Sequence, residues 1–330
     1  MESIVVLLAA LVAAVTLWDQ FVTVFSTSGA GPVSGRCYRT VWRALLWLHQ
    51  RRAIHGALRF AGPAMILCSI LGWYLLLTLA IFLMLASHPG AVINGSTGEP
   101  ADYLQTLYFA NTTLSSLGYG DWVPAGYPWT LISTLGTLMA TIVLTVSLSY
   151  VLSVVSAAVQ RRSLGTSIFA LGNTPAEIID SARLHDPAGS LKNYLLNLSL
   201  SIDQQGLRHL AFPVLKYFHA TQHQQSPARG LLLLADTLFV LELSQSASFQ
   251  GLTRVLRSSI ENFVGFSRVG PAMAATSDAH SEPEREYLRQ LAARLGARPE
   301  ENEFADRYQE YHPLRRRLLA LCAEDGWATQ

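Results

Sequence analysis

Between two long apolar segments lies the run Thr112-Thr113-Leu114-Ser115-Ser116-Leu117-Gly118-Tyr119-Gly120-Asp121. From Ser116 onward its order is hydroxyl, aliphatic, glycine, aromatic, glycine, carboxylate. These are the parts needed to strip water from a cation and replace it. A dehydrated cation needs a ring of oxygens, and backbone carbonyls supply one only from unusual dihedral angles, which Gly118 and Gly120 adopt without a Cβ clash. The Ser116 hydroxyl adds an oxygen at the inner end of the row. Leu117 and Tyr119 are then expected to point away from the ion and pack behind the carbonyls. One such loop cannot enclose an axis, and the chain holds no second copy of it. The chemistry therefore calls for a closed ring of identical chains.

With the hydroxyl-rich run before it, Asp121 after it and an apolar span on either side, the segment 61–162 resembles the pore-loop potassium channels, in the variant with one loop between two membrane helices. The resemblance implies a homotetramer that conducts K+ passively through a filter formed by Ser116, Leu117, Gly118, Tyr119 and Gly120. K+ is then the permeant ion and the filter its binding site, with no cofactor. In the same alignment Tyr108 and Asp121 support the filter and its outer mouth by hydrogen bonding to each other. The usual Thr-Val opening of the family's filter stands here as Ser116-Leu117. Serine keeps the hydroxyl and leucine keeps an apolar packing group, so a weakly selective cation channel is the nearest alternative. An alternative of another class is a helical signalling or scaffold protein that uses the pore module as a membrane anchor.

The elements that must position this loop follow from hydropathy and charge. The chain has 330 residues, half of them hydrophobic, and a net charge near zero, which suits a membrane protein with a substantial soluble part and gives no footprint for nucleic acid. Residues Ile4 to Phe25 form a first apolar segment, interrupted late by Asp19-Gln20 and short for a span; a cleaved leader is the rival reading, opposed by the absence of a basic start. Asp19 is expected near the cytoplasmic end as an interfacial cap. A Gly/Ser-rich turn precedes Arg36, Arg39, Arg43, Arg51, Arg52 and Arg59, interleaved with Trp42 and Trp47. No acid occurs between Gln20 and Gly98, and the arginines lack the spacing and acidic partners of a voltage sensor. An interfacial helix on the cytoplasmic leaflet is expected, touching membrane lipid. Ala61 to Ala86 is the clearest span, running from inside to outside. Glu99, Asp102 and Asp121 make the outer mouth acidic, and Asn94-Gly95-Ser96 is a formal glycosylation sequon.

Tyr103 to Ser115 is too short to cross and is expected to be the pore helix. Pro128 to Val159 is expected as the inner helix, closed on the cytoplasmic side by Arg161-Arg162. Ser133, Thr137, Thr141, Thr145, Ser149 and Ser153 recur along it every fourth residue, with Thr137, Thr141 and Thr145 as candidates to line a wet cavity. Gly136, or Ala140 by the family alignment, is the candidate hinge.

The fold expected is thus an all-α membrane protein: a tetrameric pore-loop channel with an extra N-terminal membrane helix and an all-helical cytoplasmic domain. Its parts are 1–60 (membrane and interfacial helices), 61–162 (pore domain) and 163–330 (cytoplasmic domain), in a cell membrane with the N-terminus outside. In the last part, Thr174-Pro175-Ala176-Glu177 reads as a capping box opening a helix that Asp186-Pro187-Ala188-Gly189 ends. Further helices are expected over Leu191–Ile202, Gly206–Gln224, Pro227–Ser246, Gly251–Phe266, Glu284–Gly296 and Asn302–Cys322, with a linker over Pro271–Glu282. The apolar run Pro227 to Ser246 carries Asp236 and Glu242, which favours a buried core helix over a span. His219 and His223 are expected as solvated helix-end residues rather than metal ligands, and Arg315-Arg316-Arg317 as a solvated face. The three cysteines follow no metal or disulfide spacing. No catalytic constellation is present in the sequence, so a non-enzyme is expected, with an unknown cytoplasmic ligand left open.

Overall fold

The computed structural model describes residues 2–26, 29–51, 60–184, 190–220, 222–244, 250–267, 281–297 and 299–326. It divides into two compact units, one of residues 1–41 and 63–154 and the other of residues 42–62 and 155–330, with the divisions falling inside three helices.

The first, membrane unit holds α1 (Glu2–Phe25), the start of α2 (Pro32–Arg51), α3 (Ala61–Ala86), α4 (Tyr103–Leu114) and most of α5 (Trp129–Phe169). Three of these, α1, α3 and α5, are long and apolar enough to cross a membrane. The α3 bounds are those expected from the uncharged run. α4 starts at an N-cap, Asp102, whose carboxylate accepts the Gln105 amide at 2.8 Å while the Gln105 side chain accepts the Asp102 amide at 2.8 Å. The core of the unit gathers Trp73, Leu77, Ile81 and Leu85 of α3, Phe109, Ala110 and Leu114 of α4, and Ala140 and Val143 of α5.

One element departs from the all-helical expectation. Val92–Asn94 (β1) and Trp122–Pro124 (β2) form a two-stranded antiparallel pair, Asn94 opposite Trp122 and Val92 opposite Pro124. Three residues per strand are too few to show the alternation that marks a strand in sequence.

Asp19 is not the interfacial cap that its place in α1 suggests. It is buried, and its carboxylate accepts the Val33 amide at 2.7 Å, the Ser34 amide and hydroxyl, and the Trp73 indole N–H at 2.9 Å. It therefore caps the first turn of α2 from a different helix, where the orphan amides and the positive helix end favour an anion. Beside it, Gln20 donates to the Val143 carbonyl at 2.7 Å and to the Ser147 hydroxyl at 3.0 Å, joining α1 to α5. The two residues that interrupt the apolar segment are thus the polar joints of the unit.

The second unit is helical: α6 (Pro175–Leu184), α7 (Ser190–Ala211), α8 (Pro227–Leu243), α9 (Gln250–Phe266), α10 (Ser281–Arg294) and α11 (Glu301–Glu324). α8 runs through the core, where Leu231, Leu234 and Phe239 are buried and Phe239 stacks on Tyr311 at 4.8 Å. Its acids are partnered: Asp236 accepts from the Tyr311 hydroxyl at 2.6 Å and from Arg315 at 3.0 Å, and Glu242 pairs with Arg257 at 2.9 Å. The Thr174 hydroxyl accepts the Glu177 amide at 3.2 Å and the Glu177 carboxylate accepts the Asn173 amide at 2.8 Å, so the cap closes one residue further back than a strict capping box.

Four expectations are corrected here. α5 does not end near Val159 but continues to Phe169, and Arg161 is a buried residue within it rather than a charge closing the helix. The helix expected over 206–224 ends at Ala211; Pro213 replaces it with a 3-10 turn over Pro213–Tyr217, and a second turn covers His223–Gln225. His219 and His223 therefore share no helix. His219 is buried and its Nδ1 lies 2.6 Å from the Asp325 carbonyl, while the His223 ring meets Phe169 edge-on. Arg315 is 7% exposed and bound to Asp236 and Glu284, not part of a solvated face. Arg52, Arg59, the Asp186–Gly189 stop and nearly all of the Pro271–Glu282 linker lie outside the described residues.

Candidate functional site: the pore loop and its supports

The loop after α4 is held at its inner end by two successive carbonyls. Thr112 O accepts from the Leu117 amide at 2.9 Å and the Gly118 amide at 3.3 Å, and Thr113 O accepts from the Ser116 amide at 3.0 Å. The Thr137 hydroxyl of α5 reaches the same turn, donating to Thr113 O at 3.3 Å. Beyond the turn, handedness alternates. Ser116, Gly118 and Gly120 have φ of +59°, +50° and +81°, while Leu117 and Tyr119 do not enter the positive region. In an ordinary extended chain successive carbonyls face opposite ways; reversing the handedness of every second residue is what allows neighbouring carbonyls to share a side. Sequence reasoning assigned the reversal to the two glycines and missed Ser116, whose residue type gives no sign of it.

The side chains between these positions are uncovered. Leu117 is 55% and Tyr119 69% exposed in the single chain. Neither large side chain packs behind the loop as expected; within the single chain both stay largely uncovered.

At the outer end, Tyr108 and Asp121 are near neighbours. Asp121 leads directly into β2, and the ladder with β1 continues one step past Asn94, where the Gly95 amide donates to Asp121 O at 2.9 Å. Asp102 is spent on capping α4, so it serves the pore helix as well as the charge of the mouth.

On α5 five hydroxyls of the stripe bond alike, while the sixth, on Ser133, is buried without a partner among the described residues. Thr137, Thr141, Thr145, Ser149 and Ser153 each donate to the carbonyl four residues back, at 2.8 to 3.3 Å. A hydroxyl used this way keeps lone pairs for a cation or water and spares the membrane an unsatisfied donor. Thr141 and Thr145 are exposed, Thr137 half-buried and Ser133 buried. Gly136 is buried against Ile81, whose Cδ1 would lie 3.1 Å from an added Cβ, and Ala140 is buried too. Both candidate hinges sit at a close approach of α5 to α3, inside an unbroken helix.

In the second unit the described side chains form no group of three or more metal ligands. A pocket of about 210 Å³ between α8, α9 and α11 is smaller than most ligand sites, and its polar groups, Glu242 and Arg257, already pair with each other. Arg161 donates to the Phe218 carbonyl at 2.8 Å and pairs with Asp325, whose other oxygen accepts from Ser226 at 3.3 Å. This junction ties α5 to the end of α11, and sequence gave no hint of it, because its members are far apart in the chain. His209 is half-buried beside it against Phe263, with its Nδ1 cut off from water, and desolvation, aided by Arg161 and Lys216, pushes its imidazole down to about 3.

Residues 69–157, which carry the loop of alternating handedness, the short capped helix before it and most of the two membrane-length helices around it, match the family described as Ion channel. The chain is also similar to a Bacillus subtilis (strain 168) protein titled "Uncharacterized membrane protein YdjJ", 29% identical over 255 residues, which is 75% of this chain and 72% of that protein. That likeness runs well beyond the pore module. No solved structure matches the chain.

Proposed function

We propose that four copies of the chain form a potassium channel, with Ser116 to Gly120 of each contributing to one filter on the shared axis. The observation that carries this reading is the left-handed backbone at every second residue from Ser116 to Gly120. Carbonyls of the filter replace the water around K+, and neighbouring ions repel one another onward. The Ser116 hydroxyl closes the inner end of the row, and Thr141 and Thr145 face the cavity below it. Leu117 and Tyr119, bare in one protomer, pack against the neighbouring subunit, which supports a closed ring over a single chain. Glu99 and Asp121 concentrate cations at the outer mouth. The second unit lies in the cytoplasm and assembles or gates the pore, and α1 crosses with its N-terminus outside.

The test is a reversal potential in a planar bilayer with potassium on one side and sodium on the other. A value near the potassium limit is expected. A value near zero with clear current would instead favour the weakly selective channel and implicate Ser116-Leu117. Replacing Gly118 or Gly120 with alanine is expected to abolish conduction while leaving assembly intact; unchanged currents would refute the filter assignment.

A further inference from the structure

The sequon Asn94-Gly95-Ser96 has a place in the architecture that its motif does not suggest. Asn94 spends its side-chain carbonyl on the Ser96 and Thr97 amides, at 2.9 and 3.0 Å, and its backbone on Glu99 and Gly98. The result is a tight loop that presents Gly95 to the peptide leaving the filter. Gly95 donates its amide to Asp121 O at 2.9 Å, and a Cβ placed on it would stand 2.7 Å from the Gly120 carbonyl oxygen and 3.6 Å from that of Asp121. The obstacle is backbone, which cannot swing aside as a side-chain tip can. Gly95 is not in the left-handed region, so it is required for space and not for dihedral freedom.

We propose that Gly95 is a positioning residue for ion selectivity: its bare Cα leaves room for the Gly120 carbonyl and its N–H holds the Asp121 carbonyl, and together they fix the outer end of the filter. Selectivity depends on the number, placement and field of the coordinating oxygens, and displacing the carbonyls at one end changes them. The inference rests on the filter reading given above. It extends that reading to a residue outside the pore loop, on the far side of α4.

A second glycine of the same loop supplies the control. Gly98 has a φ of +72° and nothing within 4 Å of an added Cβ. Gly98→Ala strains the loop without touching the filter, whereas Gly95→Ala crowds the filter without demanding a left-handed side chain. The experiment uses the full chain, purified as the assembled oligomer and placed in liposomes. Two quantities are read: the K+ over Na+ permeability ratio from the reversal potential, and the rise in thermal stability of the oligomer when K+ replaces Na+, which reports filter occupancy even from a closed channel.

The expected result is a selective wild type, a fall in the permeability ratio of about tenfold or more in Gly95→Ala, and loss of most of its K+-dependent stabilisation. Gly98→Ala is expected to keep both. Equal losses in the two variants would reduce Gly95 to a loop-folding role and overturn the proposal, as would an unchanged Gly95→Ala. A wild type with neither selectivity nor K+-dependent stabilisation would overturn the filter reading itself, and this inference with it.

Discussion

Each unit buries carboxylates, and Asp19 of the one and Asp325 of the other are answered differently. In the membrane unit, Asp19 is surrounded by neutral donors: two amides at the start of α2, a serine hydroxyl and the Trp73 indole. In the helical unit, Asp325 is held by the Arg161 guanidinium, with Ser226 on its other oxygen. The first acid completes a helix end; the second neutralises a cation. What the difference teaches is that burial of an acid does not by itself imply an ion pair. A helix N-terminus can do the same work where arginine would be costly to bury.

The contrast can be broken by substitution. The largest effect is expected from Arg161→Ala, which leaves Asp325 buried without its cation and should cost about 3–5 kcal/mol; chemical denaturation followed by circular dichroism measures it. Asp325→Asn is expected to cost nearly as much, because the guanidinium then faces a neutral amide. At Asp19 the corresponding change is milder: the asparagine oxygen can still cap α2, but its NH2 group is set against the donors on the other oxygen, the Trp73 indole among them, and a loss of about 1–3 kcal/mol is expected for Asp19→Asn. Asp19→Ala removes the acceptor altogether and should cost about 1–3 kcal/mol, with a change in Trp73 fluorescence because the indole N–H loses its partner. Equal losses for Asp325→Asn and Asp19→Asn would abolish the distinction.

The smallest effect sharpens it from the side of pH. The His209 imidazole is held at about 3, below its ordinary value of 6.5, so between these values the unfolded chain binds a proton that the folded chain refuses. The stability this group supports is complete above the ordinary value and is lost as pH falls towards 3. Melting curves from pH 7.5 to 5 should therefore slope less steeply in His209→Phe than in the wild type, and identical slopes would count against a desolvated neutral histidine.

The membrane unit was readable where the needed information is local. The Gly118-Tyr119-Gly120 run, the uncharged span of α3 and the short amphipathic α4 carry their reasons within a few residues. The capping box of Asp102 and Gln105 was readable on the same terms, although the acid draws attention first as a charge at the mouth. α8 was readable because two acids in an apolar run signal a core helix with partners. What escaped is what depends on residues distant in sequence. Asp19 finds its partners on α2 and α3, Arg161 finds Asp325 at the far end of the chain, and Arg315 and His219 look solvated until the elements opposite them are in place. Gly95 escaped for a different reason. Its requirement is an absence of volume, and a glycine needed for space looks like any other glycine in a loop.

Ser116 is, among the described residues, the one non-glycine with a left-handed backbone, and this bears on how its position can change over evolution. Serine pays a modest strain there, whereas a β-branched residue pays far more. Exchange of Ser116 for threonine would keep the hydroxyl and strain the backbone further, so at this position the two hydroxyl residues are not interchangeable, and drift between them is opposed by the fold itself.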